Sequence, residues 1–187
     1  MNRRHEEPGM HRLATASRRP TERSVYVAEG DLGKGLFAAR RIVRGEIILR
    51  FRGPVIDFDT AVAKGEWQCY PLQIGPSRYI DLLTPGCFAN HSCDPNAGIV
   101  DNAVLTALSD INEGTEVRYD YSTTMDENFW TMPCRCGSSA CRKTVADFGL
   151  LPLGTRERYL RLGIVQRFIA EQYRDQSGRI AVPQAIC

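Results

Sequence analysis

The sequence predicts a mainly β protein with some α-helix, on three observations. Between Ser24 and Tyr119 the apolar residues fall in short β-branched or aromatic runs, cut by glycine- and proline-containing turns. Only after Pro152 does the apolar spacing lengthen to that of a helix, at Leu160, Ile164, Val165, Phe168, Ile169 and Tyr173. No apolar run approaches the roughly 18 residues that a membrane-spanning helix requires. A chain of 187 residues has room for one domain with appendages.

Residues 1–22 lack hydrophobic periodicity and read as a flexible basic leader. Over residues 1–23, Arg3, Arg4, Arg12, Arg18, Arg19 and Arg23 face only Glu6, Glu7 and Glu22. Such an arm can touch nucleic acid or an acidic partner, although a solvated tail is the simpler reading. The leader has no apolar segment of the kind a secretory signal needs, so an intracellular protein, cytoplasmic or nuclear, is expected. A net charge of +2 gives the chain as a whole no electrostatic case for nucleic-acid binding.

Val25–Val27, Leu36–Ala38, Ile47–Leu49 and Val55–Ile56 are predicted strands, separated by turns at 30–35, 44–45 and 53–54. Residues 59–64 predict a short helix capped by Asp57 or Asp59. Tyr79–Leu82, Ile99–Val100, Val104–Leu108 and Glu116–Tyr119 are further strands, with turns at Asp101-Asn102 and at Asn112-Glu113-Gly114. Residues 126–133 read as an irregular link. Thr155 is the expected cap of the C-terminal helix, which Gly163 divides or weakens. Its apolar face is expected to dock on the core or on a second subunit.

Four elements carry chemistry. Gly33-Lys34-Gly35 reads as a turn that lets backbone approach a ligand closely. Asn90-His91-Ser92-Cys93-Asp94-Pro95-Asn96 reads as a turn presenting polar groups. Tyr119-Asp120-Tyr121 places two phenols at a strand end. Cys134, Cys136 and Cys141, three of seven cysteines, offer three thiolates on one loop, and tetrahedral zinc needs a fourth ligand from elsewhere. Of three histidines, His5 and His11 lie in the leader, and Ser92 cannot form a charge relay with His91 by adjacency alone. Arg135, Arg142 and Lys143 are too few basic residues for a nucleic-acid-binding zinc knuckle.

In this order, the four elements resemble the SET-domain protein lysine methyltransferases with a zinc-binding post-SET segment, over roughly residues 24–145. The resemblance implies a SET-domain fold of short curled sheets with pseudoknot-like threading, which general connection rules would not suggest. It implies a SET domain at 23–125, a post-SET zinc segment at 126–148 and a helical extension at 149–187. The implied activity is transfer of a methyl group from S-adenosylmethionine to a lysine side chain of a protein such as a histone or ribosomal protein. The implied structural metal is one zinc ion on Cys93, Cys134, Cys136 and Cys141.

By the same resemblance Gly33, Lys34, Gly35, Tyr79, Phe88, Asn90, His91 and Tyr121 contact the cofactor. Tyr121 orients the transfer, and Tyr119 and Phe51 line the lysine channel, with Tyr119 favouring one or two methyls over three. Lys34, Phe51 and Cys87 depart from the family's usual residues. Those departures motivate the alternative of a non-catalytic interaction module that retains the fold and the zinc.

Overall fold

The computed structural model describes residues 24–65 and 71–177. The leader, His5, His11, Cys69 and Cys187 lie outside the described residues. The chain opens with the antiparallel pair β1 (Val25–Gly30) and β2 (Gly33–Ala38). Next come β3 (Ile47–Arg50), β4 (Val55–Asp57) and α1 (Phe58–Ala63), whose cap is Asp57 accepting from the Thr60 amide. After these follow β5 (Pro71–Gly75), β6 (Arg78–Asp81), β7 (Asn90–His91), β8 (Ala97–Val100) and β9 (Val104–Ala107). The remaining strands are β10 (Arg118–Tyr119), β11 (Met132–Pro133) and β12 (Thr144–Val145). Two helices close the described chain, α2 (Leu153–Leu162) and α3 (Arg167–Ser177).

None of the described sheets exceeds three strands: β3-β9-β8 and β4-β6-β5 are antiparallel, and β7 pairs β10 in parallel. This is the mainly β, short-sheet architecture that the sequence predicts. The β8–β9 hairpin turns through Asp101 and Asn102, both with positive φ, which short polar side chains tolerate best after glycine.

Three expectations need correction. Gly33-Lys34-Gly35 is the first half of β2, not a turn; the turn is at Asp31-Leu32. Residues 132–133 of the supposedly irregular link pair with β12 and so steady the cysteine segment. Thr155 lies inside α2, whose cap position is Pro152, with φ -52 and ψ 141 and no side-chain cap hydrogen bond. Gly163 does divide the helical region: it ends α2 at φ 67, a left-handed conformation that glycine adopts without penalty.

Apolar burial is organised in three clusters. The largest gathers Leu36, Ile48, Phe51, Leu105, Val117 and Tyr119 between the sheets. A second gathers Phe148, Tyr159, Ile164 and Ile169 and takes in Val100 and Leu108, so the C-terminal helices dock on the core of their own chain. The third surrounds Cys93, Cys134 and Cys136. No helix among the described residues is long and apolar enough to cross a membrane.

The docking of α2–α3 leaves no room at Gly98, where a β-carbon would stand 2.5 Å from Ile164 Cγ2. Gly98→Ala is therefore expected to destabilise the protein by about 1–3 kcal/mol, the usual penalty for overpacking a filled core. Urea unfolding measures it; an unchanged midpoint would contradict the docking.

Candidate functional site

The parallel β7–β10 pair assembles the site, because it sets Asn90 beside Arg118 and His91 beside Tyr119. The Ser92 amide extends the pairing by donating to the Tyr119 carbonyl at 3.0 Å. The chain then turns into a 3-10 helix at Tyr121–Thr124, capped by the Asp120 carboxylate, and this turn points Tyr121 back toward β7. The Tyr121 hydroxyl donates to the Ala89 carbonyl at 2.9 Å, and its ring lies 4.9 Å from that of Tyr119.

Two hollows meet at Tyr121. The first is a wide cleft of about 780 Å³, lined by Lys34, Phe88, Asn90 and His91 on one side and by residues 132–136 on the other. The second is a narrow pocket of about 50 Å³ with aromatic walls: Phe58, Tyr79, Tyr119, Phe129 and Trp130. Tyr121 lines both. In the cleft Asn90 is held by its Nδ2, which donates to Glu116 Oε1 at 2.7 Å and to the Lys34 carbonyl at 3.1 Å. Glu116 fills the space over Gly35, where a β-carbon would fall 2.4 Å from Oε1, so a side chain there would displace the carboxylate that holds Asn90.

Beneath the cleft, His91, Cys93, Cys134 and Cys136 bring their donor atoms within 4.8 Å of one another, a set able to hold a metal. Cys93 Sγ is 3.7 Å from Cys134 Sγ. The Cys141 thiol bonds to those of Cys134 and Cys136 and receives the Lys143 amide at 3.4 Å. Burial pushes the Cys93 and Cys134 thiols up. At Cys136 burial acts the same way, but backbone groups of Cys93 and Ser138 and the neighbouring thiols outweigh it, bringing Cys136 down to about 6.

The tautomer of His91 follows from its partners. Nδ1 accepts from the Tyr121 amide at 3.2 Å, so the ring proton sits on Nε2, which donates to Cys93 Sγ at 3.3 Å. Burial pushes the ring down to about 4, helped by Arg142 and Arg118 and opposed by Asp120, so it is neutral near pH 7.

Several residues stand elsewhere than the sequence suggests. Tyr79, expected beside the cofactor with Asn90, lines the narrow pocket, because β6 faces α1 rather than β7. Phe51 is buried behind Tyr119, ring centroids 6.0 Å apart, and lies outside the pocket wall. Of the Gly33–Gly35 run only Lys34 borders the cleft, its Nζ 5.8 Å from the Phe88 ring centroid. The sequence reading missed Asp31, Leu32, Met132, Pro133 and Arg135 in the cleft and Phe58, Glu127, Phe129 and Trp130 in the pocket. Proximity to Cys134 would have suggested Met132 and Pro133; nothing local marks Phe58 or Glu127.

The SET-domain family profile matches residues 33–122, which begin at Gly33 and end just past Tyr121. Residues 33–122 form a SET domain. Its curated relatives include histone-lysine N-methyltransferase trithorax of Drosophila virilis, 30% identical over 127 residues, which cover 59% of this chain and 3% of that protein. Histone-lysine N-methyltransferase trr of Drosophila melanogaster is 30% identical over 137 residues, 64% of this chain and 6% of its own. Human histone-lysine N-methyltransferase 2B is 29% identical over 127 residues, 59% of this chain and 5% of its own. The matched stretch is thus a small part of each relative. Cys134, Cys136 and Cys141 lie beyond the SET-domain match.

The SET domain is joined to both later segments through Asp120, whose side chain is fully buried. Its Oδ1 receives the Ser122 amide at 3.1 Å and Arg142 at 2.8 Å, and its Oδ2 receives Arg142 at 2.8 Å and the Tyr159 hydroxyl at 2.9 Å. Arg142→Ala strips a buried carboxylate of its counter-charge and is expected to cost about 3–5 kcal/mol. The exposed Arg41–Asp110 pair provides the contrast, since Arg41→Ala is expected to cost about 1 kcal/mol or less. Equal losses in denaturant titrations would show that Asp120 is not held in this way.

Proposed function

We propose that this chain transfers a methyl group from S-adenosylmethionine to a lysine amine of a protein, with a histone as the substrate class. The observation that carries this reading is the position of Tyr121 as the wall common to a wide polar cleft and a narrow aromatic pocket. A displacement at carbon needs its two partners aligned across one point, and alignment is the main thing the protein must supply. The histone-lysine methyltransferase names of the relatives support the same reading. A histone substrate also implies an intracellular, chromatin-associated site of action.

The cleft suits S-adenosylmethionine in size and chemistry. Its volume of about 780 Å³ is that of a typical small-molecule site. Phe88 and Leu32 offer apolar faces to a base, and Asp31, Lys34 and Arg135 offer both signs of charge to an amino acid. When bound, S-adenosylmethionine supplies an activated methyl group. Asn90, fixed by Glu116, presents its amide at the cleft's edge, and Tyr121 separates the cofactor's space from the lysine's. A free lysine has a pKa of ~10.4, so neutralising it near pH 7 costs about 4–5 kcal/mol. Burial in so narrow a pocket lowers that cost by stripping water from the ammonium. Tyr119, backed by Phe51, narrows the pocket and favours one or two added methyls.

Cys93, Cys134, Cys136 and Cys141 are proposed to hold one structural zinc ion. His91 belongs to the tightest group of donors, but its Nε2 is protonated and its Nδ1 faces Tyr121, so it supports Cys93 instead of binding metal. Metal analysis of purified variants checks this: His91→Asn should keep one zinc per chain, and Cys141→Ser should lose it. The reverse pattern would replace the four-thiolate set.

Activity is tested with radiolabelled S-adenosylmethionine and core histones. Labelled lysine is expected with the wild-type chain, and at least about 100-fold less with Tyr121→Phe. Tight cofactor binding with no transfer to any histone would favour an inactive module.

A further inference from the structure

Within the narrow pocket one residue has no part in the reading above. Among the described residues that line it, Glu127 is the only acidic or basic side chain, set among Phe58, Tyr79, Phe129 and Trp130. Phe58 stacks edge-on against Phe129 at 5.1 Å and lies 6.3 Å from Tyr79, so three of these rings form a connected wall. A lone carboxylate among aromatic faces is a setting for an organic cation, which gains from both the charge and the ring quadrupoles.

Glu127 is also firmly placed. Its carboxylate accepts from the Tyr79 hydroxyl, and its amide donates to Asp147 Oδ2 at 3.1 Å. Asp147 is buried, and its other oxygen, Oδ1, has no hydrogen-bond partner among the described residues. Asp126 stands beside Glu127 in sequence and is engaged by Gln172 of α3 at 2.9 Å.

We propose that Glu127 is a catalytic residue: it receives the ammonium of the incoming lysine and takes its proton, delivering a neutral amine beside Tyr121. Charge balances in this step, since an ammonium and a carboxylate become an amine and a carboxylic acid. The acid returns its proton to water at its half-exposed side. Burial and the charge of Asp147 push Glu127 up, while the Tyr79 hydroxyl holds it down by stabilising the carboxylate. A carboxyl raised toward neutrality is a more effective proton acceptor than an ordinary one. The inference rests on the methyltransferase reading only for the final use of the amine.

The first test needs no catalysis. Binding of n-butylammonium, a lysine side-chain mimic, is compared with that of n-butanol by calorimetry at pH 7.5. The wild-type protein is expected to prefer the ammonium at least tenfold, and Glu127→Gln to lose the preference. In the second test kcat/KM on core histones is followed against pH. Activity should rise through the Glu127 titration, because the carboxylate is the active form. Glu127→Gln should lose that limb and about 100-fold or more in rate. Tyr79→Phe removes the bond that favours the carboxylate, so its limb should move to higher pH; it carries the test if Glu127→Gln does not fold. Retention by Glu127→Gln of either the ammonium preference or the wild-type limb would overturn the proposal, as would an unshifted limb in Tyr79→Phe. A wild-type chain that binds butylammonium yet methylates nothing would refute the enzymatic reading and leave the binding result standing.

Discussion

The Asp120 carboxylate is the contact on which the molecule's parts converge. It lies between the two site tyrosines in sequence, and its oxygens are taken by Arg142 of the cysteine segment, by Tyr159 of α2 and by the Ser122 amide of its own turn. A fully buried charge is tolerated only when each lone pair has a donor. That requirement fixes the separation of three stretches whose apolar contacts alone set no single register. The tilt of Tyr121 is set by the same turn, so the geometry of both hollows depends on a group that lines neither.

The parallel β7–β10 pair complements this anchor. Two residues on each strand are a small ladder, but they bring residues 90–91 against 118–119 and continue into the Ser92 amide. Asn90 is tied in turn to Glu116 and so to the strand carrying Lys34. The cleft wall is thus a chain of hydrogen bonds, with Gly35 supplying the space that Glu116 occupies. Stiffness there comes from polar pairing; in the narrow pocket it comes from ring packing.

What was readable in the sequence was local. Short apolar runs mark most strands, Asp57 or Asp59 marks the start of α1, and the order of the four motifs carries the family resemblance. Long-range facts were not readable. Phe51 alternates as a strand-end residue should, yet whether it faces a channel or the core depends on the placement of Gly86 and Tyr119 above and beside it. Tyr79 looked like a cofactor neighbour, but the pairing of β6 with β4 and β5 turns it toward α1. His91 shows the same limit at the scale of one atom, since the Tyr121 amide selects its tautomer. Asp120, framed by two tyrosines with evident roles, passed as a spacer because its partners lie 22 and 39 positions away.

One wall of the wide cleft is made of Met132, Pro133, Cys134, Arg135 and Cys136, the stretch that runs directly into the sulfur cluster. The same few atoms therefore serve as foundation and as lining. An oxidant that paired two of these sulfurs would not merely loosen a distant support; it would reshape the chamber itself.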